Sequence, residues 1–260
     1  MATKELKPPK APPEKPEKKS ETPSEFIASL AVVLVVGLFI ITFNLQAFEI
    51  PSSSMENTLL IGDHVFVDRI TLAPRTRWMP LLPYRSVRRG DIVVFLSPAE
   101  AGLYVVKRII GAPGDRIHLQ DGVVYVNGQA QNEPYVLHDP NSYNPYRDNF
   151  PAVPPSMGAN VTPEWHLEMS SYIKDGDLVV PDDRYFAMGD HRDVSYDSRY
   201  WGFIPREHII GRPLFIYWSF ETPEGQYMKT SISDRLAFAA KVVIHFVDRT
   251  RWRRMLKMVR

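Results

Sequence analysis

Two hundred and sixty residues with a net charge of +1 and no cysteine exclude disulfides, thiolate metal sites and a cysteine nucleophile. They also leave nucleic acid without a whole-chain electrostatic signal. Once a polar tail and an apolar run are set aside, about two hundred residues remain, enough for one well-buried domain or two small lobes held by their core alone.

Residues 1–25 are rich in Lys, Glu and Pro and nearly devoid of large apolar side chains, so they cannot bury enough surface to offset ordering and are expected to be a disordered tail. The run 26–43 carries no charge. At 1.5 Å per residue it makes about 27 Å of helix, near the lower limit for a bilayer core of about 30 Å, which predicts one transmembrane helix over 26–44. A cleaved signal peptide is the competing reading. Against it, the segment before the run is long, and Leu45, two positions before Ala47, is too large for a small-x-small site. Six lysines from Lys4 to Lys19 precede the run, whereas Glu49, Glu56 and Asp63 follow it, so the positive-inside rule puts the N-terminus in the cytoplasm and the rest outside.

From residue 45 the pattern changes to short β-rich runs at 64–68, 91–96, 104–110, 123–126, 178–180, 185–188 and 214–219, separated by Gly-Asp and Pro-Gly turns. A mostly β body over 45–220 follows. Within it, 129–174 is rich in Pro, Asn and Tyr without sustained periodicity, and is expected as an inserted lobe of irregular loops or a small β-ribbon. Residues 77–82 and Met55 are apolar enough to form a surface that dips into lipid headgroups, a packed surface loop being the alternative for 77–82. In the extension 221–260, the nearly apolar run 236–247 is too short to span and is followed by six cationic residues from Arg249 to Arg260. Trp252, Met255, Leu256 and Val259 fall at i, i+3, i+4, i+7, which predicts a basic amphipathic helix; whether it lies on anionic lipid or packs on the body stays open.

The chemistry concentrates in two places. Pro51-Ser52-Ser53-Ser54-Met55 puts serines about ten residues beyond the apolar run, and a serine hydroxyl needs a base. None of the seven histidines sits in a triad-type or HExxH context. A neutral lysine is the other option. Lys107 lies in the apolar strand 104–110, where desolvation lowers a lysine pKa by about 3 to 5 units. Alternation sends Lys107 and Arg108 to opposite faces. Taken alone, an edge-strand lysine with its head in solvent is the commoner arrangement.

Four motifs in order change that balance: PSSSMENTL at 51–59, GDHVFV at 62–67, KRIIGAPGD at 107–115 and GDHRDVSYDSRYWG at 189–202. Together with the apolar run upstream, the chain resembles bacterial type I signal peptidase, the membrane-bound serine protease that removes signal peptides from exported proteins. The resemblance implies a body of coiled antiparallel β-sheet with an inserted smaller lobe. It also implies that Ser54 attacks the scissile carbonyl, that Lys107 takes its proton, and that the Ser52 hydroxyl and the Ser54 N–H hold the oxyanion. Ser195 would orient the Lys107 amine. Asp190 would pair with Arg108, and Asp197, Arg192 and Arg199 would form structural ion pairs. Phe48, Ile50, Leu59, Val65, Val105 and Val106 would line shallow pockets for small side chains, suiting an Ala-x-Ala site.

The resemblance further implies no metal, cofactor or nucleic acid. It implies a monomer, single-pass in the inner (plasma) membrane, acting on exported preproteins at the lipid bilayer. Two positions depart from the family pattern. Asn57 stands where Pro is usual, which predicts a looser turn, and His191 stands where Asn is usual, read as a substitution beside the site rather than a new base. A cytosolic self-cleaving repressor protease would carry a DNA-binding helical module, and the anchor and Pro-rich tail argue against it; a silent tethered binding module would lack Ser54 or Lys107. A peptidase specialised for pilus or conjugation substrates would differ only in substrate range.

Overall fold

A computed structural model of the chain describes residues 22–39, 44–74, 84–156 and 158–260. Residues 1–21 of the expected tail, 40–43 of the expected span and the apolar loop 77–82 lie outside the described residues. One compact unit, residues 1–40, holds the helix α1 (Pro23–Phe39), and residues 41–260 form the second. Thr22 starts α1 with a reciprocal cap: its hydroxyl accepts from the Glu25 N–H, and its own N–H donates to the Glu25 carboxylate at 2.8 Å. No α1 side chain is buried. Among the described residues no helix is long and apolar enough to cross a membrane.

The second unit runs β1 (Leu45–Glu49), β2 (Asp63–Asp68), β3 (Ile92–Leu96), β4 (Tyr104–Gly111), β5 (Arg116–Gln120), β6 (Val123–Val126), β7 (Gln129–Ala130), α2 (Pro145–Asp148), α3 (Pro163–Glu168), β8 (Ile173–Lys174), β9 (Asp177–Val179), β10 (Arg184–Met188), α4 (Ser198–Trp201), β11 (Ile204–Pro205), β12 (Ile209–Ser219) and α5 (Ile232–Ile244). The body is mostly β, and every strand pair is antiparallel. A seven-stranded sheet has the order β1-β2-β12-β3-β4-β10-β11, and a five-stranded one β7-β6-β5-β9-β8.

β12 is the hinge of the larger sheet. Its first residues pair with β3 and the rest with β2, with register shifts after Pro213 and Ile216. Pro213 has no N–H to give the ladder, and bulges of this kind bend a strand and increase its twist, so one strand serves two neighbours and the sheet curls. Strand alternation places Asp63, Val65 and Val67 of β2 inward, where the two valines join Ile50, Met55, Leu59 and Ile216 in one core cluster.

The smaller lobe is wider than 129–174 and is built on a five-stranded sheet, larger than the small β-ribbon and more regular than the loops expected there. Its sheet takes β5, β6 and β9 from outside that range, and Tyr146, Phe150, Trp165 and Met169 pack against it from α2, α3 and the turns beside them. These four aromatic and sulfur side chains are irregularly spaced because each anchors a separate short turn, so the segment shows no period.

The C-terminal tail also departs from expectation. Residues 249–260 are not a helix, and Trp252, Met255, Leu256 and Val259 share no helical face. A single 3-10 turn, Trp252–Arg254, is flanked by two bridges, Thr250 to Phe220 just beyond β12 and Met258 to Phe215 on β12 itself. β12 pairs with β3 only at Ile209–Gly211, which leaves the far edge of its second half open, and backbone pairing there outweighs local helix propensity. Val259 is buried in the β2 cluster, whereas Leu256 is 74% exposed. Arg254 clamps the buried Asp63 carboxylate through two nitrogens and donates to the Thr58 carbonyl at 3.1 Å, tying the tail to the loop after β1.

Candidate active site

The loop between β1 and β2 is closed at its neck by Ile50 N–H to Asp63 C=O and Gly62 N–H to Ile50 C=O, each 2.9 Å. Met55 and Leu59 pin one side of it to the core, being 1% and 0% exposed. Met55 is therefore not part of a lipid-facing surface. With Met55 turned inward, the 3-10 turn Ser53–Met55 turns Ser54 toward β4.

β4 supplies two cations of different fate. Lys107 is 3% exposed, and its Nζ lies 2.6 Å from Ser54 Oγ. Burial lowers its pKa to about 8, against the opposing pull of Asp197 and Asp190, which favour the charged form. Arg108, on the other face of the strand, is equally buried but bonded at every turn. It meets the Asp190 carboxylate through Nε and Nη2 at 2.8 Å each, donates to the Gly90 carbonyl at 3.0 Å and stacks 3.7 Å over the Tyr135 ring. The Thr58 hydroxyl adds a further bond to Asp190.

The loop from Met188 to Trp201 closes the back of the site. Arg199 and Asp197, both 0% exposed, form a two-point pair at 2.8 and 2.9 Å, and Arg199 also donates to the Arg192 carbonyl at 2.7 Å. Burial pushes the Asp197 carboxyl up, but the guanidinium beside it more than offsets this and holds it below the ordinary carboxylate value. Arg192 pairs with Glu133 of the smaller lobe at 2.6 Å. A Cβ on Gly189 would lie 2.3 Å from the Ser54 carbonyl oxygen and 2.4 Å from Ser195 Oγ, so only glycine fits where this loop touches the serine turn.

Ser52 Oγ sits 3.4 Å from Ser54 Oγ. Ser195 is buried, and its hydroxyl is among the groups that favour the ionised Asp197 carboxylate; the expected bond from its Oγ to Lys107 is not made in this geometry. His191 donates its backbone N–H to the Ser54 carbonyl at 3.2 Å, and its ring Nδ1 lies 3.4 Å from the Glu56 carboxylate. Asn57 adopts φ 83°, a left-handed conformation closed to the proline usual there, and its Nδ2 donates to the Tyr135 carbonyl at 2.9 Å. The turn is pinned rather than loosened.

Two cavities meet at the serine. The larger, about 750 Å³, is lined by Ser52, Ser54, Lys107 and His191 together with Glu56, Glu100, Glu221 and Glu224. The smaller, about 170 Å³, is lined by Phe48, Ile50, Val105 and Val106, with Ser52, Ser54 and Tyr227 also on its wall. Leu59 and Val65 do not face it. Both are fully buried beneath the serine loop and support the pocket floor from the core.

Sequence reasoning missed the residues that reach the site from elsewhere. Glu133 and Tyr135 come from the segment read as irregular, and Leu137 bridges His191, so part of the lobe braces the site. Tyr227 comes from the C-terminal extension. None lies in a periodic run, and no local pattern marks them. Gly189 is different, because a glycine directly before a buried aspartate in a motif is a signal of close backbone approach.

Residues 24–218 match the signal peptidase family, peptidase S26. A probable signal peptidase I-2 of Synechocystis sp. is 37% identical over 194 residues, covering 72% of this chain and 69% of that protein. A signal peptidase I of Pseudomonas fluorescens is 32% identical over 210 residues, covering 74% and 71%. A crystal structure of a signal peptidase I from Enterococcus faecalis V583 aligns with 49% of this chain and 97% of its own at 30% identity, with a TM-score of 0.37.

Proposed function

The chain belongs to the signal peptidase family, peptidase S26, and on that premise we propose that it removes signal peptides from exported preproteins with Ser54 as nucleophile and Lys107 as general base. The observation that carries the dyad is a buried lysine 2.6 Å from a serine hydroxyl. With a pKa of about 8, about a tenth of Lys107 is neutral at pH 7; at the ordinary 10.5 it would be about one part in three thousand.

In the reaction, Ser54 Oγ passes its proton to neutral Lys107 as it bonds to the scissile carbonyl carbon. The oxyanion takes hydrogen bonds from the Ser52 hydroxyl and the Ser54 N–H, a donor of this kind lowering the barrier by about 3 to 4 kcal/mol. The tetrahedral centre collapses, and the leaving amine takes the proton from the Lys107 ammonium and departs as the new N-terminus of the mature protein. Water gives a proton to Lys107 as it adds to the Ser54 ester; the Lys107 ammonium returns that proton to the departing Ser54 oxygen, and the signal peptide leaves as a carboxylic acid that ionises in water. Asp190 and Asp197 carry no proton; with Arg108 and Arg199 they hold β4 and the loop behind Ser54, and their charge keeps the lysine from falling further below 8.

The smaller cavity is walled by Phe48, Ile50, Val105 and Val106, an apolar lining that suits the small side chains of an Ala-x-Ala site. Attachment to the bilayer is through the apolar run 26–43, with the lysine-rich N-terminus in the cytoplasm and the body on the far side. A protease tethered there meets cleavage sites that are themselves tethered, so effective concentration replaces tight binding. Cleavage of an Ala-x-Ala precursor by the full chain in detergent tests the reading. The wild type cuts after the second alanine, and Ser54→Ala and Lys107→Met, both folded, do not; residual activity in either variant would remove the dyad.

A further inference from the structure

A helix that rests on a protein body in water puts its apolar side inward and its charges outward. α5 carries a second apolar side that faces outward. Its half-buried side carries Phe238, Lys241, Val242 and His245. Its outer side carries Ile232, Leu236, Val243 and Ile244, which are 78%, 66%, 77% and 74% exposed, and Val247 just beyond the helix is 75% exposed. At 100° per residue these side chains form one stripe, with Arg235 and Lys241 on its two flanks. The helix is anchored by the opposite side, where the Phe238 ring meets Phe220 edge-to-face at 6.2 Å, so the stripe is not the packing face misread. It is capped by Ser231, whose Oγ accepts the Asp234 N–H at 3.1 Å.

The surroundings select the occupant. Lys229, Arg235, Arg253 and Lys257 are exposed near the stripe in sequence, and no acidic side chain among the described residues pairs with any of them. Trp252, 47% exposed, stacks edge-to-face on Phe246 and so offers an indole at the same end of the helix. An apolar stripe flanked by unpaired cations with an aromatic at its end is the pattern of a helix lying in the headgroup layer of an anionic bilayer. Pairing of two copies through this stripe would instead bring the flanking cations Arg235 and Lys241 of each copy near those of the other, with Asp234 the single acidic side chain of the helix to offset them.

We propose that α5 lies on the anionic surface of a bilayer, its exposed stripe among the lipid headgroups, as a membrane contact additional to the apolar run 26–43. The segment from Ser219 to α5 is also a wall of the candidate site: Tyr227 lines both cavities, and Glu224 accepts from the Ser53 hydroxyl at 3.4 Å. Docking α5 thus sets the depth of the serine loop relative to the headgroups. That consequence rests on the proteolytic reading, whereas the contact itself does not.

The chain has no cysteine, so single-cysteine variants are directly available. Full-length Leu236→Cys and Val243→Cys, each carrying an environment-sensitive fluorophore, are reconstituted into vesicles of phosphatidylcholine alone or with phosphatidylglycerol, both doped with headgroup-proximal nitroxide lipid. Leu167→Cys on α3, 78% exposed in the native chain, is the control. The expected result is several-fold stronger quenching at 236 and 243 than at 167 in anionic vesicles, reduced by Arg235→Gln with Lys241→Gln. Quenching at 236 and 243 no greater than at 167 overturns the proposal. Concentration-dependent self-quenching at 243 in detergent would assign the stripe to a second copy and overturn it as well. A Ser54→Ala background gives the same quenching pattern, so failure of cleavage and failure of docking are read separately.

Discussion

Replacing Lys107 with methionine separates catalysis from stability. In the folded chain the lysine proton leaves near pH 8 because burial disfavours the ammonium; in the unfolded chain it leaves near 10.5. At 1.36 kcal/mol per pH unit, the fold bears about 3 kcal/mol for keeping this lysine protonated at neutral pH. The cost is present in full below pH 8, falls between 8 and 10.5 as the unfolded chain alone retains the proton, and is absent above. Methionine fills a similar volume without that cost but loses the contact with Ser54 Oγ, worth about 1 kcal/mol. Lys107→Met is therefore expected to be inactive and about 2 kcal/mol more stable than wild type at pH 7, with the gain gone at pH 10. Urea unfolding in detergent micelles, followed by the fluorescence of the five tryptophans, measures both. A variant less stable than wild type at pH 7, or a gain equal at both pH values, would refute the idea that Lys107 is held against its own desolvation.

Three other outcomes follow from the same geometry. For the wild type, kcat/KM rises about tenfold per pH unit below pH 8 and levels off above it, because only neutral Lys107 accepts the serine proton; a flat pH–rate profile between 6 and 8 contradicts a lysine base. Gly189→Ala forces a Cβ to within 2.3 Å of the Ser54 carbonyl, so the serine turn shifts and kcat falls about 100-fold with KM little changed, as steady-state kinetics reads. Arg199→Met leaves Asp197 buried without its partner and lowers stability by about 3 to 5 kcal/mol in the same urea titration, while Arg192→Met, whose partner Glu133 is less deeply buried, costs less.

Much of the β architecture was legible because strand alternation is local. The runs 64–68 and 123–126 coincide within a residue with β2 and β6, since each alternates or is wholly apolar between turn residues. β1 and β5 were not seen. β1 is a short edge strand, and Arg116, His118 and Gln120 place polar groups at every second position of β5, which reads as a loop unless the buried Ile117 and Leu119 are known to face a lobe. The site was legible as four motifs in order. That Ser54 and Lys107, 53 residues apart, lie within 2.6 Å of each other is a property of the register between β3 and β4 and of Met55 and Leu59 anchoring the serine loop.

By itself the sequence determined the apolar and alternating strands of the body, that a lysine sits inside one of them, and that a serine-rich turn follows an apolar run. Composition, period and motif spacing are carried by neighbouring residues, and local sterics are enough to express them. Only the tertiary structure decided that Leu59 and Val65 lie under the pocket rather than in it, and that Glu133, Tyr135 and Tyr227 reach the site from two distant segments. It alone decided that the tail becomes a strand-like partner of β12 and that α5 turns its apolar stripe outward. Each of these depends on which edge or face is left open after pairing between residues as far apart as Asp63 and Arg254, and no window of neighbouring residues contains that information.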